Sequence, residues 1–521
     1  MSKDLNSFKE HIDKGYTFKK DYIVIGGAML DGDPVEDCKV KLPLKSLNRH
    51  GLIAGATGTG KTKTLQVIAE QLSLKGIPSV LMDLKGDLSG LAQPGESNDH
   101  IVWRHGAIGE PYEPQGLPVE LMSISDEKGV KLRATVLEFG PVLMGKILNL
   151  NDTQSGIMAL IFKYCDDNKL PLLDLKDLKK TLQFVTNEGK AEIEKEYGRV
   201  SGASVSTIMR KIIELEQQGA EKFFGEKSFD VEDFTRTTHD GKGYINIIRL
   251  TDIQNKPKLF STFMLSLLAE VYETFPEAGD DDKPKLCMFI DEAHLVFKEA
   301  SDELKDQIEA IVKLIRSKGV GIYFCTQNPT DVPDAVLSQL GLKVQHALRA
   351  FTAKDRKAIK KTSENYPLTD FYDTDKLLTS LGIGEAFITA LNEKGIPTPL
   401  AATLLRAPIT RMDVLTKKEI NDVVNNSDLV KIYNEDIDRE SAFEILNEKI
   451  ERAQAKEHKE KQAKERAKIE KAKSRNTKSR KKEDSFIEKA SKNTMVRQIG
   501  RSFFKELARG ILGILGIKKR R

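Results

Sequence analysis

Short unbroken apolar runs recur along the first 400 residues: GLIAG at 51–55, PSVLMDL at 78–84, GYINIIRL at 243–250, KLCMFID at 285–291 and GVGIYFCT at 319–326. A strand with one wet face would alternate apolar and polar positions, so these runs predict strands covered on both sides. Between them lie segments with apolar residues three and four apart, KTKTLQVIAEQLSLKG (61–76), KLFSTFMLSLLAEVYETF (258–275) and ASDELKDQIEAIVKLIRSK (300–318), which predict helices. Strand, helix, strand within about 35 residues is a βαβ unit and requires a parallel sheet. VQHALRAF (344–351) and EAFITAL (385–391) read as further strands at the far side of that sheet.

The pattern predicts an α/β fold, a mostly parallel sheet flanked by helices, over residues 46–410. Ahead of it, residues 1–45 place VIGGAML and VKLPLKSL around the turn-rich DGDPVED, a strand pair. The stretch from about 95 to 145 is mixed, and helical periodicity over about 150–235 predicts a helical insertion whose role periodicity leaves open. Residues 411–450 read as a helical extension and 451–495 as a Lys/Glu-rich helix or disordered linker. Residues 496–521 read as a basic amphipathic segment.

Composition narrows the class. The chain has 521 residues, 39% hydrophobic and 31% charged, as expected of a globular protein. The net charge of +4 conceals a division: residues 451–521 carry 24 Lys and Arg against 9 Asp and Glu, so the body is acidic and the tail basic. A basic tail suits a polyanion or an anionic surface, and a solvated charged helix has the same composition. The four cysteines, Cys38, Cys165, Cys287 and Cys325, form no CxxC pair, which speaks against a disulfide framework or a cysteine-rich zinc site. With neither a signal-peptide pattern nor an apolar run of membrane-spanning length, the expected location is cytoplasmic.

The chemistry concentrates at strand ends. Gly55-Ala56-Thr57-Gly58-Thr59-Gly60-Lys61-Thr62 matches G-x-x-x-x-G-K-[ST] between a strand and a helix, with Lys63 in the same turn. Glycines let successive N–H groups curl around phosphate oxygens, Lys61 reaches the terminal phosphates, and Thr62 ligates Mg²⁺. The strand ending in Asp291 and followed by Glu292 offers a metal-side carboxylate and a residue to polarise water, although a helix cap would look alike. Gln327, after GVGIYFCT, is the candidate for positioning water at the γ-phosphate, against the alternative of an ordinary polar turn before Pro329. Arg316 and Arg349, with Arg356 behind them, are candidates for a charge-stabilising arginine donated by a neighbouring subunit, against the commoner alternative of a structural salt-bridge residue. Asp83 and Asp87 in the DLKGD turn are expected over the same sheet edge, as metal helpers, as a coupling of the site to a partner, or as a surface turn.

HGLIAGATGTGKTKTLQ, the DLKGD turn, LCMFIDEAHLVF, and RSKGVGIYFCTQNP with VQHALRAF resemble the HerA/FtsK superfamily of ring-forming, DNA-translocating ATPases, and within it the HerA-like bacterial proteins. The likeness spans about residues 20–405. It implies ATP and Mg²⁺ as cofactors and Lys61 with Thr62 as the phosphate-loop pair. Asp291 and Glu292 are then the metal and water-activating pair, Gln327 the sensor, and Arg316 or Arg349 the arginine acting across a subunit boundary. It also implies a homo-oligomeric ring, a hexamer, with DNA as the load. Some 50 residues precede the phosphate loop, room for a strand pair but not for the β-barrel domain that archaeal HerA carries there. Two alternatives keep the nucleotide site: a membrane-associated ATPase driving polypeptide or conjugative transport, docked through the C-terminal tail, and an assembly protein gated by nucleotide.

Overall fold

The computed structural model describes residues 5–279, 281–298, 302–349, 352–437 and 439–479. The expectations for the end of the tail, including all of 496–521, lie outside the described residues. Two compact units separate at Leu446, residues 1–446 and 447–521.

The first unit is built on one 12-stranded sheet. Its strands are β1 (Tyr22–Leu30), β2 (Asp33–Pro43), β3 (Gly51–Ala54), β4 (Ser79–Asp83), β5 (Val119–Ser123), β6 (Val130–Lys131), β7 (Ile245–Arg249), β8 (Leu286–Ile290), β9 (Val320–Thr326), β10 (Leu342–His346), β11 (Glu385–Thr389) and β12 (Ala401–Leu405). They lie in the order β2-β1-β12-β11-β10-β3-β9-β8-β4-β7-β5-β6. From β10 through β6 every pairing is parallel; from β10 back to β2 every pairing is antiparallel. Every residue of β3, β4, β8 and β9 is buried, which is why those segments read as continuous apolar runs.

One expectation is corrected. The strand in VQHALRAF, β10, is not at the far side of the sheet but directly beside β3, with Gln345 paired to Ala54. An apolar run encodes burial, whereas adjacency is set by the crossovers, which leave no mark on the run itself.

The helices along the first part of the chain are α1 (Leu5–Tyr16), α2 (Lys61–Leu74), α3 (Asp99–Ile108), α4 (Val136–Ile147), α5 (Asp152–Asp167), α6 (Leu175–Thr186), α7 (Lys190–Glu196), α8 (Gly202–Gln217), α9 (Pro257–Thr274), α10 (His294–Lys298) and α11 (Asp302–Leu314). Helix α2 lies against β1, β3 and β4. Helices α4 to α8 form one excursion between β6 and β7, with α4 broken at Gly140-Pro141 and packed on α5, α9 and α11. Residues 411–446 pack as part of the first unit: Leu429, Tyr433, Ala442 and Leu446 are buried, and the Tyr433 hydroxyl donates to Asp233 at 2.7 Å. In the second unit the chain is helical to Ser479, and the side chains from Glu451 to Ile469 are all exposed.

Candidate nucleotide site

Strand β3 ends at Ala54 and the chain turns through Gly55–Gly60 into α2. A side chain at Gly55 would stand 2.5 Å from the Cβ of His346, so the loop must pass β10 as bare backbone. Gly58 differs: its φ of +79° favours glycine, and nothing lies within 4 Å of where a Cβ would project. The space beside Gly58 is therefore open. Gly60 serves as the N-cap of α2 without a side-chain cap bond, so the first-turn N–H groups face that space, and no acidic residue occupies the first turn.

Lys61 is buried, with its ammonium folded back to the Ala56 carbonyl at 3.1 Å. Burial, and then the nearby Lys85, hold its pKa below the ordinary value, while Glu292 and Asp291 pull the other way. Thr62 follows half-buried. The Lys63 side chain turns elsewhere, to Gln66 and the Met412 carbonyl.

Asp291 and Glu292 leave the sheet from β8, separated from β3 by β9 alone, a span of about 10 Å at ordinary strand spacing. The two halves of the site, some 230 residues apart in sequence, thus reach one sheet edge. Both carboxylates are buried. Burial raises the Asp291 pKa, Lys85 opposes that rise, and the adjacent Glu292 adds to it. Asp291 Oδ2 is buried and makes no hydrogen bond. A buried carboxylate oxygen that makes no hydrogen bond, a Thr hydroxyl on the first helical turn and a glycine loop with open space beside Gly58 fit Mg²⁺ bound to a polyphosphate.

Gln327 stands exposed just past β9, whose Thr326 is register-matched to Ala54. Asp331 braces this turn, its Oδ2 accepting from Thr326 Oγ1 at 2.6 Å and from the Asn328 N–H at 3.1 Å. The two arginines divide. Arg349, exposed, follows β10 at the phosphate-loop edge. Arg316 precedes β9, so a strand of seven residues, roughly 20 Å, separates it from its own chain's loop. It neighbours Arg49, and burial and then that second guanidinium lower its pKa.

Sequence reasoning missed Lys85, which stands 2.5 Å from Glu292 Oε1 and 3.6 Å from Asp291 Oδ2. The DLKGD turn is legible in the sequence, but nothing along the chain marks its lysine as reaching the end of β8. Asp83 instead closes its own turn, accepting from the N–H groups of Gly86 (2.7 Å), Asp87 (3.2 Å) and Leu88 (3.2 Å). His346 was also missed; it is buried, holds Thr64 Oγ1 at 2.9 Å, and is kept neutral by burial and by Lys61, its pKa lowered to about 4. The four cysteines are free and buried, and among the described residues no His, Cys, Asp and Glu cluster has metal-holding geometry. A cavity of about 260 Å³ between α4 and α9 shares no lining residue with the phosphate loop.

The chain is similar to known proteins at three levels. Residues 29–520 match the family described as Helicase HerA-like C-terminal. The probable helicase MJECL08 of Methanocaldococcus jannaschii is 27% identical over 386 residues, 69% of this chain and 67% of that protein. The DNA double-strand break repair helicase HerA of Sulfolobus acidocaldarius is 24% identical over 368 residues, 69% of this chain and 66% of that protein. The chain thus spans about two thirds of the length of these relatives. Among solved structures, the bacterial conjugative coupling protein TrwBdeltaN70 superposes with a TM-score of 0.50 at 14% identity, covering 78% of this chain and 94% of that one, a likeness of fold. A glycine loop on β3, an acidic pair on β8 with one strand between them, and a family match over nearly the whole length agree: the chain belongs to the HerA-like helicase C-terminal family.

Proposed function

We propose that this protein is a Mg²⁺-dependent ATPase that assembles as a ring, a hexamer, and uses hydrolysis to move along or unwind DNA in the cytoplasm. The observation that carries the reading is the convergence of Lys61 and Thr62 with Asp291 and Glu292 on one sheet edge, beside an open loop. Bound Mg²⁺·ATP supplies the phosphoanhydride to be cleaved and a cation against its charge. The N–H groups of residues 55–63 and the Lys61 ammonium hold the phosphate oxygens. The Thr62 hydroxyl and the Asp291 carboxylate hold the metal. Glu292 takes the proton of the attacking water, and Gln327 orients that water.

A ring supplies the remaining charge. Arg316 is too far from its own chain's loop to touch the nucleotide there, which favours its use on the nucleotide of an adjacent copy; Arg349 lies at the loop edge of its own chain. DNA as the load is supported by family membership, by the helicases among the relatives, and by a tail whose Lys and Arg excess suits a phosphate backbone. The apolar and basic ending GILGILGIKKRR keeps a membrane-docked transport ATPase as the second reading, although no described helix is long and apolar enough to cross a membrane.

The deciding experiment is a steady-state ATPase assay with single- and double-stranded DNA, on wild type and Lys61→Ala. DNA-stimulated, Mg²⁺-requiring turnover that the substitution abolishes is expected. Turnover surviving in Lys61→Ala refutes the site, and turnover indifferent to DNA refutes the load.

A further inference from the structure

We propose that Lys85 is a positioning residue of the hydrolytic site, anchoring one carboxylate oxygen of Glu292 so that the other faces the attacking water. The proposal rests on the reading of Glu292 as the water-activating group. Oε1 of Glu292 is held by the Lys85 ammonium at 2.5 Å. Oε2 is buried and makes no hydrogen bond, and His294 Nδ1 lies 3.2 Å from it. An unanchored carboxylate presents either oxygen in many rotamers; one pinned at a single oxygen presents the other in one direction.

Two further features single out this contact. Glu292 adopts φ +47°, a left-handed backbone that a residue with a long side chain rarely takes. Such a conformation persists where surrounding contacts over-determine it, and here they are the Lys85 pair and the bond from the Ala293 N–H to the Cys325 carbonyl at 2.9 Å. Lys85 in turn is delivered from a braced turn. Strand β4 lies beside β8 with Met82 opposite Ile290, the Asp83 carboxylate closes residues 86–88, and Gln254 donates to the Leu84 carbonyl. A Cβ at Gly86, which has φ +79°, would stand 2.9 Å from Thr251 Cγ2, so the turn also abuts the segment after β7.

Lys85 keeps 40% of its side chain exposed, so substitution there disturbs little packing, while removing its charge leaves the buried Glu292 carboxylate unpaired. Lys85→Arg keeps that charge, and nucleotide binding reports an intact site, so an effect on geometry is read apart from a cost to the fold.

The test compares Lys85→Met and Lys85→Arg, each alone and with Glu292→Gln, in the full chain, by single-turnover and steady-state ATP hydrolysis, with a fluorescent ATP analogue reporting binding. Lys85→Met is expected to lower kcat about tenfold or more with KM changed less than about threefold, and Lys85→Arg to recover most of that loss. On the Glu292→Gln background, Lys85→Met should cost nothing further, because the group it positions is gone. An unchanged kcat, a loss confined to KM, or a full additional loss on the Glu292→Gln background would overturn the proposal. Wild-type hydrolysis by Glu292→Gln itself would instead overturn the reading beneath it, an outcome visible without any Lys85 variant.

Discussion

The backbone N–H of Gly55 donates to the carbonyl of Thr326 at 3.3 Å, so the phosphate loop and the turn carrying Gln327 leave the sheet side by side. Strand β9 joins the loop strand β3 on one flank and the acidic strand β8 on the other. Gln327 thus leaves the sheet between the phosphate loop and Glu292, the place from which the proposed sensor role follows.

Gln327→Ala should therefore lower kcat by about one to two orders of magnitude while leaving affinity for a non-hydrolysable ATP analogue near wild type, since the residue is exposed and carries no packing. Hydrolysis rates and equilibrium binding measured together check this. Weakened binding with normal turnover would mean that Gln327 holds nucleotide rather than water.

Placing Arg316 on the edge of the sheet away from the loop predicts complementation between subunits. Arg316→Ala and Lys61→Ala proteins should each be inactive alone. Mixed before assembly, they should recover part of the activity, because an intact loop on one subunit meets an intact arginine on the next. Mixtures no more active than either parent would assign Arg316 to a role inside its own chain.

His50 predicts one limb of the pH dependence of stability. It is buried beside Arg49, with Nε2 at 2.8 Å from the Val312 carbonyl and Nδ1 accepting from the Ile322 N–H at 3.0 Å, an arrangement that requires the neutral ring. Burial lowers its pKa from 6.5 to about 4. The unfolded chain then binds the proton more readily between these values, so this contribution is complete above pH 6.5 and is lost as pH falls toward 4, up to roughly 3 kcal/mol. His346 acts in the same direction, whereas Glu70, raised to about 7 chiefly by burial, favours the folded state at lower pH. The difference between His50→Gln and wild type isolates the term: denaturation midpoints should converge with wild type near pH 4.5 relative to pH 7.5. A constant offset across that range would show that His50 is not titrating.

Ending the chain after residue 450 removes 24 Lys and Arg against 9 acidic residues and leaves an acidic protein. If the tail meets a phosphate backbone, DNA affinity falls and log K against log salt becomes shallower, by an amount that counts the phosphates the tail neutralised. Titration at several salt concentrations reads this directly. An unchanged slope with lost vesicle binding would move the tail to an anionic lipid surface.

What the sequence by itself determined is what depends on neighbours along the chain. Gly55 to Thr62 is legible because a phosphate loop is made by consecutive backbone groups and the first helical turn, all within one short segment. The runs at β3, β4, β8 and β9 are legible because burial on both faces leaves no polar alternation, and the position of Asp291-Glu292 at a strand end follows from where the run stops. Only the tertiary structure decided which strands touch. Sheet hydrogen bonds join backbone groups that are alike at every position, so nothing in VQHALRAF announced that it would lie against β3. The same holds for Lys85 at Glu292, for Arg316 on the edge away from its own loop, and for β9 between the two halves of the site: each is a relation across crossovers, and crossover paths are chosen by the packing of the whole sheet.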